Sequence, residues 1–445
     1  MSVLFIAPSQ FSIGELHNAI CLARQLEESG TSTFFLTSAN HIEYALNSKV
    51  NAKALSKKVR QTKIIKETVL EKEIQAIIIA DYHNLDLESP LIDLDYILTL
   101  GVPVATIDSL CFGPDERVLY NQLFKGSKSR ARNKFAVEIR KIPESMKIIR
   151  TCPINNPRYE SERVLPVTLY TQTLELETDK KEAVKKSFGC KHPEDKLVMV
   201  SKSAWANLLV KMRLMETATH MNAAYNYEYF IQELLIEYLG VQEINANIII
   251  IGVAPEAGFV ATNPEEKVQF VTLPFLDLEE YEDILFSVDL FITDNITSAS
   301  MAKALFAHVP VLSLMNSKVS TTAEGKLELP TEWETNRLDE ILTKWLSVMS
   351  NGIYPFLTYP NGWVEELEPL LKGNPWYEVI DTSEIFDIQH TGQKIHQLLY
   401  CEETKKQTRV KQTAYIQEII QLNKADKMLE FLMEKENPRR ERLLK

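Results

Sequence analysis

The chain of 445 residues carries 45% hydrophobic and 25% charged side chains at a formal net charge of -12. A length beyond one comfortable core points to two α/β domains of roughly 200 residues each. The acidic balance excludes a general binder of nucleic-acid backbones, which needs clustered Lys and Arg, and no apolar run approaches the roughly 20 residues of a membrane-spanning helix.

The first residues, Met1-Ser2-Val3-Leu4-Phe5-Ile6, have no basic group ahead of the apolar ones and read as a core strand rather than a signal peptide. Apolar runs at Val3 to Ala7, Thr33 to Thr37, Ala76 to Ala80 and Val102 to Ile107 predict strands covered on both faces, hence a parallel sheet. Between the first two, Leu16, Ala19, Ile20, Ala23 and Leu26 recur at helical spacing, and Gly30 is placed to end that helix. The chain therefore starts as a βαβ unit. From Lys125 to Arg150 it is locally basic, with only Glu138 and Glu144 as acids. That stretch reads either as a solvated loop and helix face or as a landing site for an acidic or phosphorylated acceptor or a protein partner.

Pro153, Pro157, Pro166 and the charged patch from Glu175 to Lys186 place a domain junction in residues 151–195. A second strand series follows at Leu197 to Val200, Ile248 to Ile251, Val268 to Val271, Leu290 to Thr293 and Val309 to Leu314. Trp333 to Met349 reads as a helix and Pro355 to Pro375 as an aromatic loop. The tail, with Tyr415, Ile419, Leu422, Met428, Leu429 and Leu432, reads as two amphipathic helices in need of a surface. Cys21, Cys111, Cys152, Cys190 and Cys401 lie far apart with no CxxC or Cys/His cluster, so neither a disulfide framework nor a zinc site is expected and the compartment reads as cytoplasmic.

Polar residues gather where predicted strands run into helices. Ser12-Ile13-Gly14-Glu15 is an S-x-x-E capping box, and Glu15 is also a carboxylate at a helix N-terminus, ionised and able to accept a proton. His17, about 200° further around the helix, is a packed or surface residue, or the base in its place. Asp81-Tyr82-His83 and Asp108-Ser109 follow the third and fourth predicted strands, as turn formers or as catalytic groups. Ser201 and Ser203 suit either a cap or a diphosphate. Asp294, Asn295, Thr297, Ser298 and Ser300 offer more capping groups than one helix needs, which suggests a ligand, and Lys303 adds a cation to it or points into solvent. Tyr359 to Trp363 and Pro375-Trp376-Tyr377 stack on a base or sugar, or pack a loop. Asp93-Leu94-Asp95 has the spacing of a metal pair but lies in a first-domain segment, and no metal ligand is assigned.

The order of these pieces resembles the GT-B glycosyltransferases. Gly14-Glu15 stands before Leu22-Ala23 so that Glu15 falls where inverting members of that group place a histidine base. Ser201-Lys202-Ser203-Ala204-Trp205 is similar to their donor-phosphate loop. Pro274-Phe275-Leu276 with Tyr281, Leu285, Asp289 and Leu290 resembles their run into the donor helix, and Ser298 to Leu305 leads into Val309-Pro310-Val311-Leu312 as their donor motif leads into its Gly-Val-Pro ending. The departures are Glu15 for His, Lys303 where many members hold a ribose with Glu, and His308 for Gly.

The resemblance implies an α/β fold of two Rossmann-like domains with parallel sheets facing across a cleft, plus C-terminal helices. Residues 1–165 would form an acceptor-side domain, 190–400 a nucleotide/donor-side domain and 401–445 a helical extension. It further implies transfer of a sugar from a nucleotide-diphosphate donor to a small-molecule, lipid or peptide acceptor, inverting and metal-independent, with no tightly bound cofactor. Glu15 or Asp108 would be the base. Gly14, Ser201, Lys202, Ser203, Asn295, Thr297, Ser298, Ser300 and Lys303 would hold the donor. Two other readings use the same fold: a sugar-nucleotide epimerase or hydrolase, and a non-catalytic binding or partner subunit.

Overall fold

The computed structural model describes residues 1–10, 13–55, 61–87, 92–109, 113–120, 136–202, 227–253, 258–263, 265–274, 276–318, 320–321, 327–348 and 373–434. Ser12, Cys111, Ser203, residues 125–135 of the basic stretch and the aromatic run Tyr359 to Trp363 lie outside them. The chain divides into two compact units. One comprises Met1–Arg117, Ile139–Thr171 and Glu418–Lys445; the other comprises Val118–Glu138 and Gln172–Gln417.

The first unit is built on seven parallel strands: β1 (Ser2–Ala7), β2 (Ser32–Ser38), β3 (Ala52–Leu55), β4 (Ala76–Ile79), β5 (Val104–Ile107) and, after a two-stranded sheet of β6 (Arg117–Tyr120) and β7 (Ala136–Ile139), β8 (Lys147–Cys152) and β9 (Val164–Thr168). Their order is β3-β2-β1-β4-β5-β8-β9, so the order reverses between β1 and β4. β1 pairs with both neighbours, Phe5 standing opposite Phe35 on one side and Ile78 on the other. Val3, Leu4, Phe5 and Ile6 are wholly buried, as a strand covered on both faces requires. The Gly14–Glu28 helix ends as its sequence predicts: Gly30 turns left-handed at φ +84°, and the Thr31 N–H donates to the Leu26 carbonyl.

The basic stretch is in part a core element, which corrects its reading as a solvated loop and helix face. Lys147 to Cys152 form β8, hydrogen-bonded between β5 and β9. Ile148 and Ile149 are wholly buried and Arg150 is nearly so; two apolar residues between two cations were too short a run to read as a strand. The tail also finds its surface. Met428, Leu429 and Leu432 of the Ala425–Met433 helix are buried, and its Ala425 N–H donates to Gln25 Oε1 on the first helix. Within the same unit Asn423 bonds along β9, accepting from the Thr168 N–H and donating to the Pro166 carbonyl.

The second unit repeats the plan. Its strands are β10 (Lys196–Ser201), β11 (Ile248–Val253), β12 (Val268–Leu273), β13 (Leu290–Thr293), β14 (Val311–Met315) and, after the small antiparallel pair β15 (Ser320–Thr321) and β16 (Leu327–Glu328), β17 (Asp381–Glu384). The six main strands run parallel in the order β12-β11-β10-β13-β14-β17, reversing between β10 and β13. Two parallel Rossmann-like sheets in one chain, followed by helices, are the make-up expected from the GT-B resemblance. The helix read at Trp333 to Met349 runs from Asn336 to Val348, after a 3-10 turn at Thr331–Trp333.

On one face of this sheet the Ile388–Tyr400 helix packs on the Tyr227–Gly240 helix at Gly392. A Cβ there would run into the Tyr238 backbone carbonyl and stand 2.6 Å from Val241 Cγ2. Because a main-chain carbonyl cannot step aside, Gly392→Ala is expected to push the helices apart and lower unfolding free energy by about 1–3 kcal/mol, read by urea or thermal denaturation.

Candidate functional site

Each sheet gathers polar side chains at the carboxyl edge, where its strand order reverses. In the first unit Asp81, directly after β4, holds a left-handed backbone at φ +98° while wholly buried. An Asp in that conformation is strained unless its side chain is over-determined. Here it is: Oδ1 accepts the His83 N–H at 2.8 Å and Oδ2 accepts the Ser109 N–H at 2.9 Å. The neighbouring Tyr82 N–H donates to Thr106 Oγ1 on β5 at 2.9 Å.

His83 and Asp108 are also wholly buried. His83 Nδ1 lies 3.5 Å from Asp81 Oδ1 and 3.8 Å from Asp108 Oδ1, so one imidazole stands between two carboxylates. Asp108 Oδ2 accepts the Gly113 N–H at 3.0 Å and lies 3.6 Å from Arg150 Nε, and the Asp108 carbonyl accepts from Asn155 Nδ2 at 2.8 Å. The Arg150 guanidinium is itself stacked 4.2 Å from the Tyr159 ring centroid. Asp108 is thus enclosed by protein.

Glu15 is 4% exposed on the first helix, whose N-cap is Ile13 without a side-chain cap. It stands second in the helix, whereas a capping box carries its Glu at the third position. One turn on, Asn18 Nδ2 donates to Ser109 Oγ at 3.2 Å and ties the helix to the loop after β5. His17 is packed: Nδ1 pairs with the Tyr44 hydroxyl at 2.8 Å and Nε2 lies 3.4 Å from Cys21 Sγ. Gly14, the first helical residue, has an ordinary helical backbone rather than a left-handed one.

In the second unit β10 and β13 pair at Ser201 and Thr293, which sets Lys202 and Asp294 side by side past the strand ends. The Lys202 side chain is 5% exposed and its ammonium pairs with Glu228 Oε1 at 2.9 Å, with the Phe259 ring centroid 5.4 Å away. Burial pushes the Lys202 ammonium down from its ordinary pKa, against the opposing pull of Glu228 and Asp294. Gly252 at the end of β11 makes room for Phe259, since a Cβ there would stand 2.7 Å from the ring.

Around the Ala299–Phe306 helix the capping-type residues find protein partners. Ser298 is the N-cap, its Oγ accepting the Met301 N–H at 3.2 Å. Asn295 Oδ1 accepts from both the N–H and the hydroxyl of Thr297, and Ser300 Oγ accepts the Tyr281 hydroxyl at 2.7 Å. Burial pushes that phenol up to about 12. Lys303 does not point into solvent: it is buried, with its ammonium on Glu282. Trp376 is wholly buried and donates from its indole to the Ile296 carbonyl at 3.0 Å, so packing rather than ligand stacking accounts for it.

Sequence reasoning singled out the strand-edge residues but missed Glu228, Glu282 and Asn155, and took Arg150 only as part of the basic stretch, because these roles come from pairings distant in sequence. Of the described members of the basic stretch, Lys147 bonds the Phe431 carbonyl and Arg150 is buried beside Asp108, while Arg140 and Lys141 remain exposed, Lys141 pairing with Glu144 at 2.6 Å. Among the described residues no group of His, Cys, Asp and Glu is arranged to hold a metal, and no helix is long and apolar enough to cross a membrane. Since Lys303 both buries its stem and neutralises Glu282, Lys303→Ala is expected to cost about 1–3 kcal/mol of stability. A melting temperature equal to the parent's would show that the pair contributes nothing to the fold.

No curated protein matches the chain by sequence. Among solved structures it is similar to the spinosyn forosaminyltransferase SpnP, at 12% identity and a TM-score of 0.49 over 100% of this chain and 99% of that one. It is also similar to the glycosyltransferase VinC in complex with dTDP, at 11% and 0.47 over 97% and 98%, and to a glycosyltransferase from Rickettsia africae, at 11% and 0.48 over 97% and 98%. The model of one protein family matches residues 22–437, nearly the whole length, and the chain belongs to that family, the family of unknown function DUF6365.

Proposed function

We propose that this protein is a glycosyltransferase that moves a sugar from a nucleoside-diphosphate donor to the hydroxyl or amine of a small-molecule, lipid or peptide acceptor in the cytoplasm, with inversion and without a metal. The observation that carries the reading is the pair of order reversals. In each sheet of parallel strands the strand order reverses near the centre, and open α/β sheets bind ligands outside the carboxyl ends at such points. In both units those ends carry the charged and hydroxyl-bearing residues. The first has Glu15, Asp81, His83 and Asp108; the second has Ser201, Lys202, Asn295, Thr297, Ser298 and Ser300.

In this reading Glu15 takes the proton from the acceptor as its oxygen or nitrogen attacks the anomeric carbon. Asp108, enclosed by Gly113, Arg150 and His83, acts from behind as a positioning residue: its loop carries Ser109, which receives Asn18 of the helix that bears Glu15. The departing diphosphate gathers charge as the glycosidic bond breaks. The free N–H groups at the start of the Ala299–Phe306 helix and the Lys202 ammonium offset that charge, with Ser203 and Lys303 as further candidates.

A second reading, a binding or partner subunit without turnover, is favoured by one observation: Lys202 and Lys303 are each already neutralised by a carboxylate. Calorimetric titration with UDP, GDP and dTDP at up to millimolar concentration separates nucleotide binding from its absence, and a donor-plus-acceptor assay separates turnover from binding. Glu15→Gln keeps the side chain's size and hydrogen-bonding capacity but cannot take a proton. Turnover should fall roughly 100-fold or more while stability stays within about 1 kcal/mol of the parent. Near-parental turnover of Glu15→Gln would remove it as the base.

A further inference from the structure

We infer that Glu228 is an internal competitor for the anion site at Lys202, so that a donor diphosphate binds by displacing a carboxylate the protein itself supplies. The inference rests on the proposed nucleotide-binding role of the second unit and adds to it the group that sets affinity.

Lys202 is the first residue beyond β10, at the order reversal of the sheet. Its ammonium and the Glu228 carboxylate meet at 2.9 Å with side chains only 5% and 7% exposed, so the pair is nearly dry. Glu228 lies on the Tyr227–Gly240 helix and is buried. The carboxylate thus holds the position on a lysine following a parallel strand that an incoming phosphate would need. Phe259 closes the other side, its ring admitted by Gly252. Asp294, set beside Lys202 by the pairing of Ser201 with Thr293, bears on it as well, so among the described residues Lys202 faces two carboxylates before any ligand arrives.

A diphosphate brought to Lys202 therefore meets the Glu228 carboxylate already on it. It binds only by outcompeting Glu228, which it is equipped to do because phosphate oxygens carry more charge and more acceptor positions than one carboxylate. The exchange moves no covalent bond: Lys202 trades one oxygen anion for another, and the released carboxylate swings away. The arrangement lowers affinity for weak or singly charged anions and reserves Lys202 for strongly charged ones.

The test is titration of the parent, Glu228→Gln and Glu228→Asp with UDP, GDP and dTDP, alongside thermal melts of each. Glu228→Gln retains an acceptor for Lys202 without the charge, and its dissociation constant should drop about tenfold or more for at least one nucleotide. Glu228→Asp, which keeps the charge but shortens its reach, is expected to tighten binding by about threefold and serves if the Gln variant does not fold. Lys202→Met combined with Glu228→Gln should abolish the gain. Dissociation constants unchanged or raised in both single variants, with the parent binding normally, would overturn the competitor role and leave nucleotide binding intact. A melting temperature that falls while the dissociation constant stays put would likewise make the pair purely structural. Absence of nucleotide binding in parent and variants alike would overturn the binding reading and this inference with it.

Discussion

A parallel strand that is hydrogen-bonded on both edges and covered on both faces leaves polar chemistry nowhere to go along its length. β1 and β10 are such strands, each flanked by two parallel partners, and their interiors are apolar from end to end. Charge on these strands is kept to their ends, where backbone N–H and carbonyl groups are released from the ladder. The rest of both units follows from this. Asp81, Asp108, Lys202 and Asp294 all stand one or two residues beyond a strand end. All are held in surroundings dry enough that each requires a partner.

The two units solve that requirement differently. In the first, carboxylates are held mainly by neutral donors: backbone N–H groups of His83, Ser109 and Gly113 take three of the four oxygens of Asp81 and Asp108, with His83 and Arg150 nearby. Fixed N–H donors of this kind impose geometry, and they keep Asp81 in a left-handed conformation that an exposed Asp would leave. In the second unit the cations are met by full counter-charges, Glu228 for Lys202 and Glu282 for Lys303. An ion pair of that sort returns little net stability relative to an apolar substitute, because desolvating both charges offsets most of their attraction.

How far the fold could be read follows from the same physics. Runs such as Val3 to Ala7, Ile248 to Ile251 and Leu290 to Thr293 announce two-sided burial, and the structure has strands there. β3, Ala-Lys-Ala-Leu, and β17, Asp-Thr-Ser-Glu, are edge strands whose outer sides need no apolar run, so their sequences carry no such signal. β8 was hidden because Lys147 and Arg150 made it look like solvated surface; Arg150 is buried only because Asp108 and Tyr159 lie waiting for it. At the strand edges the sequence showed which residues carry charge, since strand ends are local features. It did not show whether those charges are free, because Glu228 and Glu282 reach their lysines across the fold.

Charge balance inside a unit also constrains what any ligand there must be. The chain has 14 glycines in 445 residues, and no glycine-rich loop lies at either order reversal among the described residues. Close approach of a phosphate to bare backbone, the usual route to anion binding, is therefore limited to the helix starts. What remains is side-chain charge, and in the second unit that charge is already spoken for. With Glu228 as competitor, the proposed binding is an exchange between anions rather than the filling of a vacant positive site. Selectivity follows from the difference between the incoming anion's pull on Lys202 and that of Glu228. An exchange of this kind favours a polyvalent ligand over a monovalent one by more than Coulomb attraction alone would give, because the monovalent ligand gains nothing over the carboxylate it removes.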